Sequence, residues 1–355
     1  MMEAKHRPML THFKGLVIGT AVGDSLGLPA EGMSRKRIHR RWRGIWKQRL
    51  IFGCGMVSDD TEHMVFVAQA LLAHPDNLEA FQRCLAWKLR LWLLGLPAGI
   101  GLATLKSILR LWVGVSPKNS GVRSAGNGPA MRSAIIGLYF ADDPGLRREF
   151  VAASTRLTHT DPRAETAALA VAEAAVWIAN PVGTKGEWLH QLTGLGTDME
   201  WKSIVGQMKE ALDAELSVMK FADRIRQTKG VSGFAYHTVP VALYAWLRHP
   251  SDFRTALDAA LNCGGDTDTV GAIVGALVGA ETGASAVPEE WQKKIWGPPR
   301  SMNFLHQLAN RLNEQRGSGQ ALGPLKYFWP MVLIRNLVFL LTVLAHGFRR
   351  LLPPY

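Results

Sequence analysis

Cysteine is scarce in these 355 residues: Cys54, Cys84 and Cys263 are the whole complement, and they share no regular spacing. That excludes a disulfide framework and a zinc ribbon, and it fits a reducing compartment, so a cytoplasmic location is expected. Strand patterning is nearly absent as well. Val231–Tyr236 is the best stretch with β character, and no repeat of fixed period is visible. Met1–Lys14 carries charged and histidine residues but no apolar core of signal-peptide length, which argues against secretion. Near the C-terminus the longest clean apolar run, Leu337–Ala345, falls short of the ~20 residues a membrane span requires. No spanning anchor is expected there.

Acidic residues are outnumbered, 29 against 41 basic, for a formal net charge of +12. Much of the excess lies in Arg35–Arg49, RKRIHRRWRGIWKQR, and in the last residues. Nucleic acid, an anionic membrane surface or a pyrophosphate-bearing substrate would each suit that charge. No nucleic-acid motif accompanies it, so a solvated basic face is the plainer reading and nucleic acid is not an expected partner. A hydrophobic content of 47% with 20% charged residues describes an ordinary globular chain with material for a large core.

What is present is helix, Gly-rich loop, helix, repeated. Thr11–Ala21 reads as a helix whose Gly15, Gly19 and Ala21 permit a close neighbour, running into a Gly-punctuated turn over Gly23–Glu31. Further helices are expected at Glu62–Ala73, Asn77–Leu94, Leu102–Val113, Met131–Phe140, Arg147–Arg156 and Asp161–Ile178, and less regularly over Glu187–Ile225. The pattern predicts an all-α domain with its chemistry on the loops. Tyr327–Phe348 is strongly apolar but interrupted by Pro330, Arg335 and Asn336. It suits a helix buried against the domain or one lying at a membrane surface.

Two stretches concentrate the chemistry. Asn262–Ala280 reads NCGGDTDTVGAIVGALVGA. Gly264 and Gly265 permit an irregular backbone, Asp266 and Asp268 alternate on it, and Thr269 is placed to cap the helix that follows. An EF-hand is excluded, because its closing glutamate would fall at Leu277. Gly271, Gly275 and Gly279 recur every fourth residue and would let a neighbouring helix pack closely. Ser58-Asp59-Asp60-Thr61 is the natural partner stretch. Capping explains one aspartate at a helix start, but not two like charges side by side. A cation removes that repulsion. The combined oxygen-only donor set favours Mg²⁺, Mn²⁺ or Ca²⁺ over Zn²⁺, and two ions more naturally than one.

Asp24 and Glu31 form a third acidic element. Glu31 suits a metal ligand or a general base, and Asp24 a turn-stabilising acid. Ser124–Arg132, SAGNGPAMR, is a Gly-rich loop opening a helix whose N–H groups can hold a phosphate, although Gly-Asn-Gly is also an ordinary turn. Arg132 can support an anion or cap a neighbouring helix. His159, within Thr158-His159-Thr160, starts the next long helix.

In this order, GTAVGDSLGLPAEG (Gly19–Gly32), SDDTEHM (Ser58–Met64), SAGNGPAMR, THTDP (Thr158–Pro162) and GGDTDTVGAIVGALVGA (Gly264–Ala280) resemble the ADP-ribosylglycohydrolase family. The resemblance covers about residues 11 to 300 and implies a compact all-α fold. It also implies two Mg²⁺ or Mn²⁺ ions at the base of an ADP-ribose cleft. Their ligands would be Ser58, Asp59, Asp60, Asp266, Asp268 and Thr269. Catalysis would fall to Glu31, Asp60 and Asp268, and substrate binding to Asp24, Ser124, Gly126, Asn127, Gly128, Met131, Arg132 and His159. Ser58 replaces the threonine of many members, and Ala125 a position often aromatic or serine.

A monomeric catalytic domain over 1–315 with an apolar and basic extension over 316–355 is expected. Its partners would be an ADP-ribosylated protein substrate and an ADP-ribosyltransferase counterpart, with peripheral membrane contact through the tail. The implied reaction is hydrolysis of ADP-ribose from protein arginine. Serine or O-acetyl linkages, or a non-catalytic ADP-ribose reader or transferase blocker, are the alternatives.

Overall fold

A computed structural model describes residues 7–351. The first six residues of the Met1–Lys14 stretch and the last four of the extension lie outside the described residues. The chain opens with α1 (Met9–Gly27), the short basic α2 (Arg35–Trp42), α3 (Asp59–Ala73), α4 (Leu78–Leu94) and α5 (Leu102–Trp112). It continues with α6 (Ala134–Tyr139), α7 (Pro144–Arg156), α8 (Pro162–Ala179), α9 (Lys185–Thr193), α10 (Met199–Asp213) and α11 (Val218–Arg224). The last third holds α12 (Ala235–Arg248), α13 (Phe253–Leu261), α14 (Thr267–Thr282), α15 (Glu289–Gln292), α16 (Met302–Ser318) and α17 (Pro330–Leu351). Among the described residues β structure is confined to isolated bridges, and the fold is all-α as expected.

Glycine sets the centre of the molecule. α1 and α14 run antiparallel with Gly15 against Gly279, Gly19 against Gly275 and Gly23 against Gly271. A Cβ at any of the six would meet the facing backbone carbonyl well inside the 3.0 Å that real Cβ atoms essentially never breach. The two backbones therefore touch along the whole glycine row. This corrects the reading of Gly23–Glu31 as a turn: α1 continues to Gly27, and a single 3₁₀ turn, Leu28–Ala30, ends it. Glycine there serves a close approach, which sequence alone does not separate from a bend. Ala21 is buried but stands off that glycine row.

Around this pair pack α3, α8, α12 and α16; α3 and α12 are buried almost all round, while α16 turns one apolar stripe, Phe304, Leu305, Leu308, Ala309 and Leu312, inward. Several helix starts are capped by side chains: Ser58 caps α3, Asn77 caps α4, Asp143 caps α7 and Asp161 caps α8. Val231–Tyr236 is a connection rather than a strand. Val231 bridges Gly265 and Phe234 bridges Gly126 before α12 begins at Ala235. Arg35–Arg49 forms α2 and an irregular return rather than a loop alone. The tail is one unbroken helix, α17. Pro330 occupies its first position, where no N–H is needed, and Arg335 and Asn336 do not interrupt it. By length and composition Pro330–Arg349 is therefore long and apolar enough to cross a membrane, which the sequence reading discounted.

Candidate functional site

The starts of α3, α5 and α14 and the loops between the helices meet at a cleft of about 550 Å³. α3 and α14 begin beside one another, and the positive ends of their backbone dipoles favour acidic side chains in the first turns. Asp59 and Asp60 open α3, and Asp268 lies in the first turn of α14 with Asp266 as its N-cap residue. Thr269 does not cap α14, which starts two residues earlier. Its hydroxyl instead donates to Asp60 Oδ2 at 3.3 Å, joining the two helix starts.

The loops are stitched by backbone hydrogen bonds. Gly32 N donates to Gly265 O at 2.7 Å, Gly265 N to Met33 O at 2.8 Å, Asp266 N to Val231 O at 2.8 Å and Asn127 N to Gly233 O at 3.0 Å. Gly264 and Gly265 hold φ of +70° and +82°, and a Cβ on Gly265 would strike Val231, so only glycine fits this crossing. Asp266 is held in place by Asn127, whose Nδ2 donates to its Oδ2 at 2.5 Å and to Thr238 Oγ1 at 2.9 Å.

The cleft brings together most of the predicted residues. Glu31, Asp59, Asp266, Asp268 and Thr269 line one side, and Ser124, Gly126, Asn127, Gly128, Met131 and His159 the other. The His159 ring lies against the glycine loop, so that a Cβ on Gly126 would meet its Nε2 at 3.1 Å and one on Gly128 its Cε1 at 3.3 Å. Burial, aided by Arg132, pushes the His159 imidazole down to about 3 and keeps it neutral.

Four more predicted residues are buried: two behind the wall and two at the floor. Asp24 is fully buried and caps α3 from α1. Its oxygens accept from Ser58 N at 2.9 and 3.0 Å, Thr61 N at 3.1 Å and Thr61 Oγ1 at 2.5 Å. That is a structural role, but across the fold to another helix rather than within a turn of its own. Arg132 is likewise internal, bonded to Ser154 Oγ at 3.1 Å, Ser154 O at 2.8 Å, Thr158 Oγ1 at 2.7 Å and His63 Nδ1 at 3.2 Å. Ser58 and Asp60 lie at the cleft floor, with Ser58 Oγ donating to Asp60 Oδ2 at 3.0 Å.

The Ser124–Gly128 loop also differs from expectation. It opens onto a 3₁₀ turn, Ala130–Arg132, rather than a helix, and Gly126 N is already committed to Ser124 Oγ at 3.2 Å. Gly99, Gly101 and Thr104, at the start of α5, line the cleft and were missed. Their signal was the same as that of the recognised loop, glycines immediately before a helix.

Whether the floor suits a divalent cation is decided by its atoms. Asp60 Oδ1 is buried without a hydrogen-bond partner. Burial, with the charges of Asp24 and Glu31, pushes Asp59 up to about 8, and burial with neighbouring acids raises Asp60 and Asp268 well above the usual range. Such crowded carboxylates fit a cation better than they fit one another. Among the described residues no three His, Cys, Asp or Glu side chains are arranged to hold an ion as they stand. The set around Asp60 is completed by the hydroxyls of Ser58 and Thr269, so the chemistry fits a hard, oxygen-seeking ion.

The chain belongs to the ADP-ribosylglycohydrolase family, whose model matches residues 6–321, and it is a glycohydrolase enzyme. It is 27% identical to the ADP-ribosyl-[dinitrogen reductase] glycohydrolase of Rhodospirillum rubrum, over 79% of this chain and 89% of that protein. To the ADP-ribosylhydrolase ARH3 of Mus musculus it is 28% identical, over 50% of this chain and 55% of that protein. A solved chain described as an ADP-ribosylglycohydrolase-related protein complex superimposes with a TM-score of 0.60. That match is 24% identical, covers 87% of this chain and 99% of the other, and shows a shared fold.

Proposed function

We propose that this chain releases ADP-ribose from a modified arginine on protein. The observation that carries the reading is the cleft in which the first turns of α3 and α14 set Asp59, Asp268 and Thr269 opposite the Ser124–Gly128 loop. The match to the Rhodospirillum protein, whose own name gives an ADP-ribosylated protein as its substrate, supports the protein-linked substrate. Glu31 favours arginine, since an exposed carboxylate at the rim suits a departing guanidinium cation.

Ser58, Asp59, Asp60, Asp266, Asp268 and Thr269 would hold two Mg²⁺ or Mn²⁺ ions, which when bound lower the pKa of water and grip ribose hydroxyls. The chain's own groups supply orientation and proton handling. Glu31 takes the proton of the attacking water as the glycosidic bond stretches toward an oxocarbenium-like state, and the guanidine that leaves with the bonding electron pair takes up that proton to depart as guanidinium. Asn127, fixed by Asp266 and Thr238, and neutral His159 shape the opposite wall for ribose and diphosphate. Residues 1–315 form the catalytic unit and 316–355 an extension. The three thiols are free, which suits work in the cytoplasm, as a monomer opposing an ADP-ribosyltransferase.

The test is release of ADP-ribose from arginine-linked, serine-linked and O-acetyl substrates with Mg²⁺ or Mn²⁺. The arginine conjugate should turn over fastest, and exhaustive chelation should abolish turnover until either ion is restored. Faster release from another linkage removes the substrate assignment. Undiminished turnover after chelation removes the metal assignment, and binding without turnover leaves a reader.

A further inference from the structure

Helix α17 lies beyond the family match and is built inside out for a surface helix. Its inward stripe is Val332, Arg335, Asn336 and Phe339, at i, i+3, i+4 and i+7. The polar pair on that stripe is fastened to the body. Arg335 donates to Val57 O and lies 3.7 Å from Glu62, and Asn336 Nδ2 donates to Gly95 O at 2.7 Å. The outward stripe carries leucines and a phenylalanine instead: Leu337, Leu341 and Phe348 are 58%, 59% and 68% exposed. Over Pro330–Arg349 the mean hydropathy is 1.8, yet only 28% of the stretch is buried. An exposed apolar stripe of that length marks a surface made for contact.

Beside the stripe the charge is basic. A groove of about 840 Å³ runs between the C-terminal half of α17 and the segment after α1. Arg41, Arg49, Arg349 and His346 line it together with Leu341 and Phe52, and none of its described lining residues is acidic. Arg41 and Arg49 stand close enough for their like charges to weigh on one another. The same segment, Arg35–Arg49, contributes eight Lys or Arg residues and no acid. Apolar side chains pointing outward beside clustered arginines match the interface of a bilayer with anionic headgroups, acyl chains meeting the first and phosphates the second. The inward anchors of Arg335 and Asn336 make α17 lie flat rather than cross.

We infer that α17 and the Arg35–Phe52 segment form a peripheral membrane-docking face that seats the enzyme on an anionic phospholipid surface. The experiment is sedimentation of the full chain with phosphatidylcholine vesicles, with and without about one quarter phosphatidylglycerol. Binding should require the anionic lipid, fall steeply with salt, and drop at least about tenfold in Leu337→Glu/Leu341→Glu and, separately, in Arg40→Glu/Arg43→Glu. Both variants should keep their helicity and thermal midpoint, since all four side chains are exposed. Absence of vesicle binding overturns the inference, as does binding that neither variant weakens. A stable dimer by light scattering that Leu341→Glu dissociates, without vesicle binding, assigns the stripe to a second copy. Retention in vesicles after an alkaline wash shows a crossing helix, and also overturns it.

Discussion

Asp60 is the residue at which burial, like charge and an orphaned oxygen coincide. Its neighbour across the cleft floor, Asp268, carries the same burden of desolvation and facing acids. An isosteric amide keeps the shape and removes the charge. Asp60→Asn and Asp268→Asn are therefore expected to cut ADP-ribose release by at least about 100-fold. In chelator-treated protein each should hold the thermal midpoint or raise it, because a buried repulsion has gone. Loss of fold in both would show that these acids are structural; normal release would show that they are spectators. Asp59, Asp266 and Asp268 were legible in the sequence because acids beside hydroxyls at a helix start form a local pattern. The roles of Asp24 and Arg132 were not, because what decides them is distant in the chain. Asp24 finds Ser58 and Thr61, and Arg132 finds His63, only through the fold.

At the scale of the element, the site stands on the glycine contact between α1 and α14. Residues 271, 275 and 279 were readable as a packing face from their spacing alone. Half of the partner face was not, because Gly23 and Gly27 look like turn residues wherever a motif with acids follows. The contact is backbone on backbone, so no flexible side chain can yield to an added methyl. Gly275→Ala places its Cβ against Gly19 O, and Gly19→Ala the reverse. Each should cost about 3 kcal/mol or more, at the upper end of overpacking. Because Asp266 and Asp268 open α14, Mg²⁺ or Mn²⁺ affinity should weaken as well. Gly206 in α10 supplies the control. Nothing lies within 4 Å of its added Cβ, so Gly206→Ala should gain about 0.5–1 kcal/mol of stability. Thermal melts and titration calorimetry of the three variants decide it: equal effects at 206 and 275 would mean that the contact is not what sets the site.

Across the whole molecule, the tail reaches the catalytic floor from behind. Arg335 donates to Val57 O, one residue before the N-cap of α3, while Glu62 on the same helix is held by Arg300 as well as Arg335 and accepts from Trp92 Nε1 at 2.6 Å. Burial alone would raise the Glu62 carboxyl, but the two guanidiniums outweigh it and hold it below the usual range. Phe339 closes a small second core with Leu28, Leu50 and Met56, next to the loop that carries Glu31. None of this is visible in the sequence, where Arg335 interrupts an apolar run and looks like a breaker. In the fold it is the tether. Arg335→Met leaves Glu62 its partner Arg300 but strips Val57 O of its donor, at a cost of about 2–3 kcal/mol. It should lower the thermal midpoint and slow ADP-ribose release, because Ser58 and Asp59 then start from a looser backbone. Deleting residues 322–355 should cost more, since it also uncovers Leu28 and Met56. A variant with unchanged melting and unchanged release would show the tail to be a passenger on the catalytic body. Reduced release at full stability would instead place the coupling in the position of Val57 alone.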